Sequence, residues 1–110
     1  MFARLQALAQ VQALSHTGAA ALVRVEAIDR PRFARVLDAG ADGVLVPRLE
    51  TVEDARRSVE YCRYGGKRGV ARYNRSWHWG LASRDLGEVD EEVVCAVQIE
   101  TTSALAASDE

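Results

Sequence analysis

Polar side chains able to meet a ligand are concentrated where two apolar runs end. In VVCAVQIE (93–100), alternation along an extended strand puts Val93, Cys95, Val97 and Ile99 on one apolar face suited to packing under helices. Val94, Ala96, Gln98 and Glu100 share the other face, which turns polar toward its carboxyl end. ALVRV (21–25) repeats the pattern, with Ala21, Val23 and Val25 opposed to Leu22, Arg24 and, one residue beyond the run, Glu26. Ligands of parallel α/β folds bind beyond the carboxyl ends of the strands, so Arg24, Gln98 and Glu100 point to one region. A guanidinium and a carboxylate there either serve a ligand or neutralise each other as a structural ion pair. Both readings stand on the residues alone.

Other chemistry-bearing residues have simpler uses. His78, between Trp77 and Trp79, offers an acid or base, but a histidine in an aromatic loop is more often packed or at the surface. His16 suits the dipole at a helix end. Arg72 and Arg75 could contact an anionic substrate, although surface arginines usually do nothing so specific. Gly65-Gly66-Lys67 lacks the spacing of a phosphate-binding loop. Cys62 and Cys95 fall on expected buried faces, where core packing suffices as their role.

The elements that must position these residues follow from periodicity. Short apolar runs at 21–25, 43–47, 69–71 and 93–99 read as strands, and the stretches between them change to helical spacing. That is the βα rhythm of a parallel sheet. Before the first run, Phe2, Leu5, Leu8, Ala9 and Leu14 form a helical stripe that His16-Thr17-Gly18 stops. Asp29 is placed to cap a second helix with Pro31 in its first turn, a buried face of Phe33, Val36 and Leu37, and Gly40 as its left-handed end. Thr51-Val52-Glu53-Asp54 opens a third helix with a capping box and buries Val52, Ala55, Val59 and Cys62. Thr101 caps a last one. From Tyr64 to Glu92 no period persists, which predicts a loop-rich segment with one short strand.

With 110 residues, 48% of them hydrophobic and 27% charged, the chain has the composition of one soluble globular domain. A net charge of −2 leaves no electrostatic surplus for phosphate backbones or anionic lipid heads, so nucleic-acid and membrane-surface roles lack their driving force. Gln6, Gln10 and Gln12 interrupt the amino-terminal apolar content, and no run reaches the roughly 18–20 apolar residues of a membrane helix. Two cysteines 33 residues apart signal neither a disulfide framework nor a zinc site, which makes a reducing cytoplasm the expected compartment.

The ordered set LVRV, the Asp29-x-Pro31 helix start, RVLDAGADGVLVP (35–47), TVEDARRSVEYCRY (51–64), KRGVARYNR (67–75) and VVCAVQIET (93–101) resembles the HpcH/HpaI aldolase/citrate lyase family over most of the chain. The resemblance implies a partial (β/α)8 TIM barrel spanning residues 1–110, truncated at both ends, with about four βα units and parallel strands. It implies a class II pyruvate aldolase that cleaves 4-hydroxy-2-oxo acids to pyruvate and an aldehyde with a divalent cation (Mg²⁺, Mn²⁺ or Co²⁺), and a homo-oligomer in the full-length form. By the same resemblance Glu100 is a direct metal ligand, Gln98 a partner near the metal and substrate, and Arg24 the catalytic arginine facing pyruvate. The family's Glu-His pair after its first strand and its Gly-Pro-x-Asp segment beyond QIET do not occur in this sequence, and Gly65-Gly66 stands where the family has Pro-Pro. The chain is therefore expected to be an internal piece, inactive alone. The alternative is a non-catalytic α/β binding or assembly module in which Arg24 and Glu100 pair.

Overall fold

The computed structural model describes residues 2–70, 74–80 and 85–110. Among the described residues three strands, β1 (Leu22–Arg24), β2 (Gly43–Val46) and β3 (Val94–Val97), form one sheet in the order β1-β2-β3. Both pairings are parallel, and their register puts Arg24, Leu45 and Ala96 in one transverse row. Helices α2 (Arg30–Asp38) and α3 (Val52–Cys62) follow β1 and β2 in the chain and pack against the sheet. This is an α/β arc of the kind a (β/α)8 barrel repeats. Of the run at 69–71, Gly69 and Val70 are irregular, and Ala71 lies outside the described residues.

One face of the sheet is covered. Val25, Val44 and Val46 meet Phe33, Leu37 and Cys62 in the main core, with Val36 and Cys95 against it. The alternation expected for β1 holds, with Ala21 and Val25 buried and Leu22, Arg24 and Glu26 exposed. On the opposite face Leu22 and Val94 stay about half exposed, so the surface that faces inward in a closed barrel is open here. The prediction for the last strand fails at its outer half. Val97 and Ile99 are exposed rather than packed under helices.

Local signals set the helix ends unevenly. At α3 the capping box forms: Asp54 N donates to Thr51 Oγ1 at 3.1 Å, and Thr51 N donates to Asp54 Oδ2 at 3.2 Å. Asp29 sits at the N-cap of α2 but makes no capping bond, because Arg32 Nε engages its carboxylate at 3.2 Å. Gly40 closes α2 at φ 105°, where a side chain would be strained. α1 (Phe2–Leu14) exists, but its buried residue is Val11, while Ala9 and Leu14 are exposed; the side chains of Phe2 and Leu5 lie outside the description. The stretch read as loop holds a 3₁₀ segment (Arg75–Gly80) and α4 (Leu86–Glu92). The latter is capped by Asp85, which accepts from Glu88 N at 2.8 Å. α5 (Thr102–Ala106) starts at Thr101, whose hydroxyl accepts from Ala104 N at 3.0 Å.

Phe33 is fully buried between α2 and the sheet and meets Tyr61 edge-on, with ring centroids 5.9 Å apart. Phe33→Ala is expected to cost about 3–5 kcal/mol, against about 1 kcal/mol for Thr51→Ala. Urea denaturation of the two variants reads the difference; equal, small shifts would contradict this placement of the core.

Candidate functional site

Past the ends of β2 and β3 the two chain segments are laced together. Gln98 N donates to Val46 O at 2.8 Å, extending the ladder beyond β3, and Leu49 N donates to Gln98 O at 3.4 Å. Thr101 Oγ1, besides capping α5, donates to Leu49 O at 2.7 Å. Between these bonds the Glu100 carboxylate accepts from Arg48 N at 2.8 Å. Arg48 adopts φ 51°, a left-handed conformation uncommon for a residue with a side chain. Glu100 is thus an exposed carboxylate at the carboxyl end of the sheet, held by a neutral backbone donor. Gln98, two residues earlier, is half-buried, and its Oε1 is buried without a hydrogen-bond partner among the described residues. An unsatisfied buried amide oxygen is costly unless something supplies a donor or a cation.

Arg24 stands on the far side of β2. Neighbouring strands lie about 4.8 Å apart, which separates β1 from β3 by roughly 10 Å. Arg24 and Glu100 form no ion pair with each other, and Glu100 forms none among the described residues. The exposed guanidinium instead borders a cavity of about 580 Å³ beside the end of β1, also lined by Val25, Glu26, Asp29 and Arg32. Arg32 is tied to Glu26 at 2.6 Å and to Asp29 at 3.2 Å. These bonds, Glu26 foremost, raise its pKa. Arg24, Gln98 and Glu100 thus share the carboxyl end of the sheet, Arg24 across the central strand from the other two.

The remaining candidates separate from that end. His78 and Arg75 line a second cavity, of about 680 Å³, with Ala21 and Asp42, the residues that precede β1 and β2, so they sit at the amino ends of the strands. The Arg75 guanidinium lies over the Trp79 ring at 5.7 Å. His16 is exposed after α1, and Arg72 lies outside the described residues. The Gly65 turn does gather backbone donors around an anion, but the anion is Asp90. Its carboxylate accepts from Tyr64 N at 2.6 Å and Gly65 N at 2.8 Å. Cys62 is buried in the main core and Cys95 is partly buried against it, as core packing requires.

The donor types at the carboxyl end suit a hard divalent cation: one carboxylate in Glu100 and one uncommitted amide oxygen in Gln98. Among the described residues no three His, Cys, Asp or Glu side chains come together as a complete metal cage. No described helix is long and apolar enough to cross a membrane.

Residues 3–110 match the HpcH/HpaI aldolase/citrate lyase family. The chain is 42% identical over 101 residues to a 4-hydroxy-2-oxovalerate aldolase of Rhodococcus jostii, covering 89% of this chain and 39% of that protein. It is 38% identical over 102 residues to a 2-dehydro-3,6-dideoxy-6-sulfogluconate aldolase of Pseudomonas putida, covering 91% and 40%. The fold superposes with a TM-score of 0.87 on the crystal structure of a family protein from Burkholderia cenocepacia, at 28% identity and with coverage of 94% of this chain and 44% of that one. The chain spans about two-fifths of the length of the curated relatives it matches. On the match across residues 3–110, the chain belongs to the HpcH/HpaI aldolase/citrate lyase family.

Proposed function

We propose that the chain is the part of a divalent-metal-dependent pyruvate aldolase that holds one metal-ligating carboxylate and the substrate-orienting arginine, with the domain completed by sequence on either side of residues 1–110. The reaction is the cleavage of a 4-hydroxy-2-oxo acid to pyruvate and an aldehyde, the class of substrate named for the Rhodococcus relative. The observation that carries the reading is that, two residues apart at the carboxyl end of the sheet, Gln98 Oε1 is buried with no partner among the described residues and the Glu100 carboxylate is fixed by Arg48 N. A bound Mg²⁺, Mn²⁺ or Co²⁺ supplies Lewis-acid stabilisation of the charge that develops on the 2-oxo group as the carbon–carbon bond breaks.

The chain's own residues do the rest of the work assigned to this segment. Glu100 and Gln98 offer the cation oxygen ligands or orient its waters, and the bond from Arg48 N fixes the carboxylate before anything binds. Arg24 presents a permanent positive charge and directed donors to the carboxylate and keto oxygen of the 2-oxo acid, a geometry that a lysine point charge does not match. Deprotonation of the 4-hydroxyl is assigned outside this segment, since His78 sits at the opposite end of the strands and His16 lies beyond α1. The enzyme is read as cytoplasmic and homo-oligomeric in its full-length form, and the isolated chain as inactive.

Purified alone with Mg²⁺ or Mn²⁺ and a 4-hydroxy-2-oxo acid, the 110-residue chain is expected to release no aldehyde; clear turnover would refute the division of the site. In a protein carrying the flanking coding sequence, Glu100→Ala should abolish metal-dependent aldehyde release, and unchanged turnover would reject Glu100 as a ligand. In the same protein, Arg24→Lys should lower kcat by about 10²–10³-fold, the range found when one donor to a developing oxyanion is lost. A change in KM alone would restrict Arg24 to binding.

A further inference from the structure

We infer that Cys62 and Cys95 form a redox-modification site, a thiol pair that closes to a disulfide between the end of α3 and β3 when it meets a peroxide. Nothing in the aldolase reading uses either residue, and the inference does not rest on that reading. Cys62 is the last residue of α3 and only 1% exposed, while Cys95 is the second residue of β3 and partly buried against the same core. α3 packs on β3, and the two cysteines, 33 apart in sequence, both belong to the core between them, Cys62 within the buried cluster and Cys95 packed against it.

The two thiols are not equivalent. Interaction with Cys95 first, and burial second, raise the Cys62 thiol above the ordinary thiol range. Interaction with Cys62, helped by the charge of Arg63, lowers the Cys95 thiol against the opposing effect of its own burial. Cys95 is therefore the sulfur that reacts first, and Cys62 the one that resolves the product. Cys95 is only partly buried whereas Cys62 is 1% exposed, which leaves Cys95 the more accessible of the two.

The step balances with hydrogen peroxide as oxidant. The Cys95 thiolate attacks one peroxide oxygen, an S–O bond forms, the O–O bond breaks, and hydroxide leaves to be protonated to water. The Cys62 sulfur then attacks the sulfenic sulfur and the S–S bond forms. The hydroxyl leaves with the Cys62 proton as a second water. Two thiols are oxidised as one peroxide is reduced.

The test uses the whole chain, reduced and then exposed to a slight molar excess of hydrogen peroxide in native buffer, with free thiols trapped by alkylation and the product read by intact mass and peptide mapping. The expected product is monomeric, lighter by two hydrogens, with no thiol left to alkylate, a Cys62–Cys95 linked peptide and full reversal by dithiothreitol. Closure should be at least tenfold faster in native buffer than in denaturing urea, because the fold holds the sulfurs together. In Cys62→Ser, which keeps the reactive Cys95, dimedone should trap a sulfenic acid at Cys95. Persistent alkylation of both cysteines, disulfide-linked dimers as the main product, or equal rates in buffer and urea would each overturn the inference.

Discussion

Every other element depends on β2 being bonded along both edges. Gly43, Val44 and Leu45 pair with β1 on one side and all four of its residues pair with β3 on the other, and Val44 and Val46, both fully buried, point from it into the helices. Gly43 makes the close approach possible. A Cβ there would run into the backbone carbonyl of Val94 and the side chains of Leu22 and Val94, so the three strands come together at a point where no side chain fits. With β2 fixed, the segments that leave β2 and β3 emerge side by side, and the bonds among Val46, Leu49, Gln98 and Thr101 follow from that adjacency. The site residues are positioned by this seam more than by the helices.

The local parts of the fold were legible because their causes are local. Thr51 and Asp54 satisfy each other three residues apart, Gly40 supplies the one conformation that ends α2, and strand parity separates covered from open residues in β1. The same logic misread Asp29, because a carboxylate there has two local suitors and Arg32 outcompetes the backbone. α4 was hidden by its lack of an apolar stripe, with Val89 its buried residue, although Asp85 and Glu88 form the same box that marked α3. Non-local features left no trace in the sequence. Arg68 is buried, with Nη2 donating to Asp38 at 2.9 Å and to Ser76 at 3.0 Å and its guanidinium 4.1 Å from the Tyr64 ring centroid, partners that only the folded chain brings together.

The candidate site shows the same division. Parity alone assigned Arg24, Gln98 and Glu100 to one face and one end, and the register agrees with that. It could not tell an ion pair from two separate charges, because that choice depends on how many strands lie between them. A central strand and the left-handed turn at Arg48 decide it. Arg48 N reaches the Glu100 carboxylate because the backbone turns back there, a feature that composition and spacing do not encode.

What satisfies Glu100 matters as much as where it sits. A guanidinium in contact would neutralise the carboxylate and leave it little attraction for a cation, and breaking such a pair would add to the cost of binding one. A backbone N–H contributes a dipole and a fixed direction but no net charge, so Glu100 keeps its full negative charge while losing some of its freedom. Arg24, across β2, likewise keeps its positive charge. On the proposed reading this separation is what the ligand requires. A 2-oxo acid accompanied by a divalent cation brings a carboxylate for Arg24 and a positive charge for Glu100, and a site whose own charges had already cancelled would hold neither.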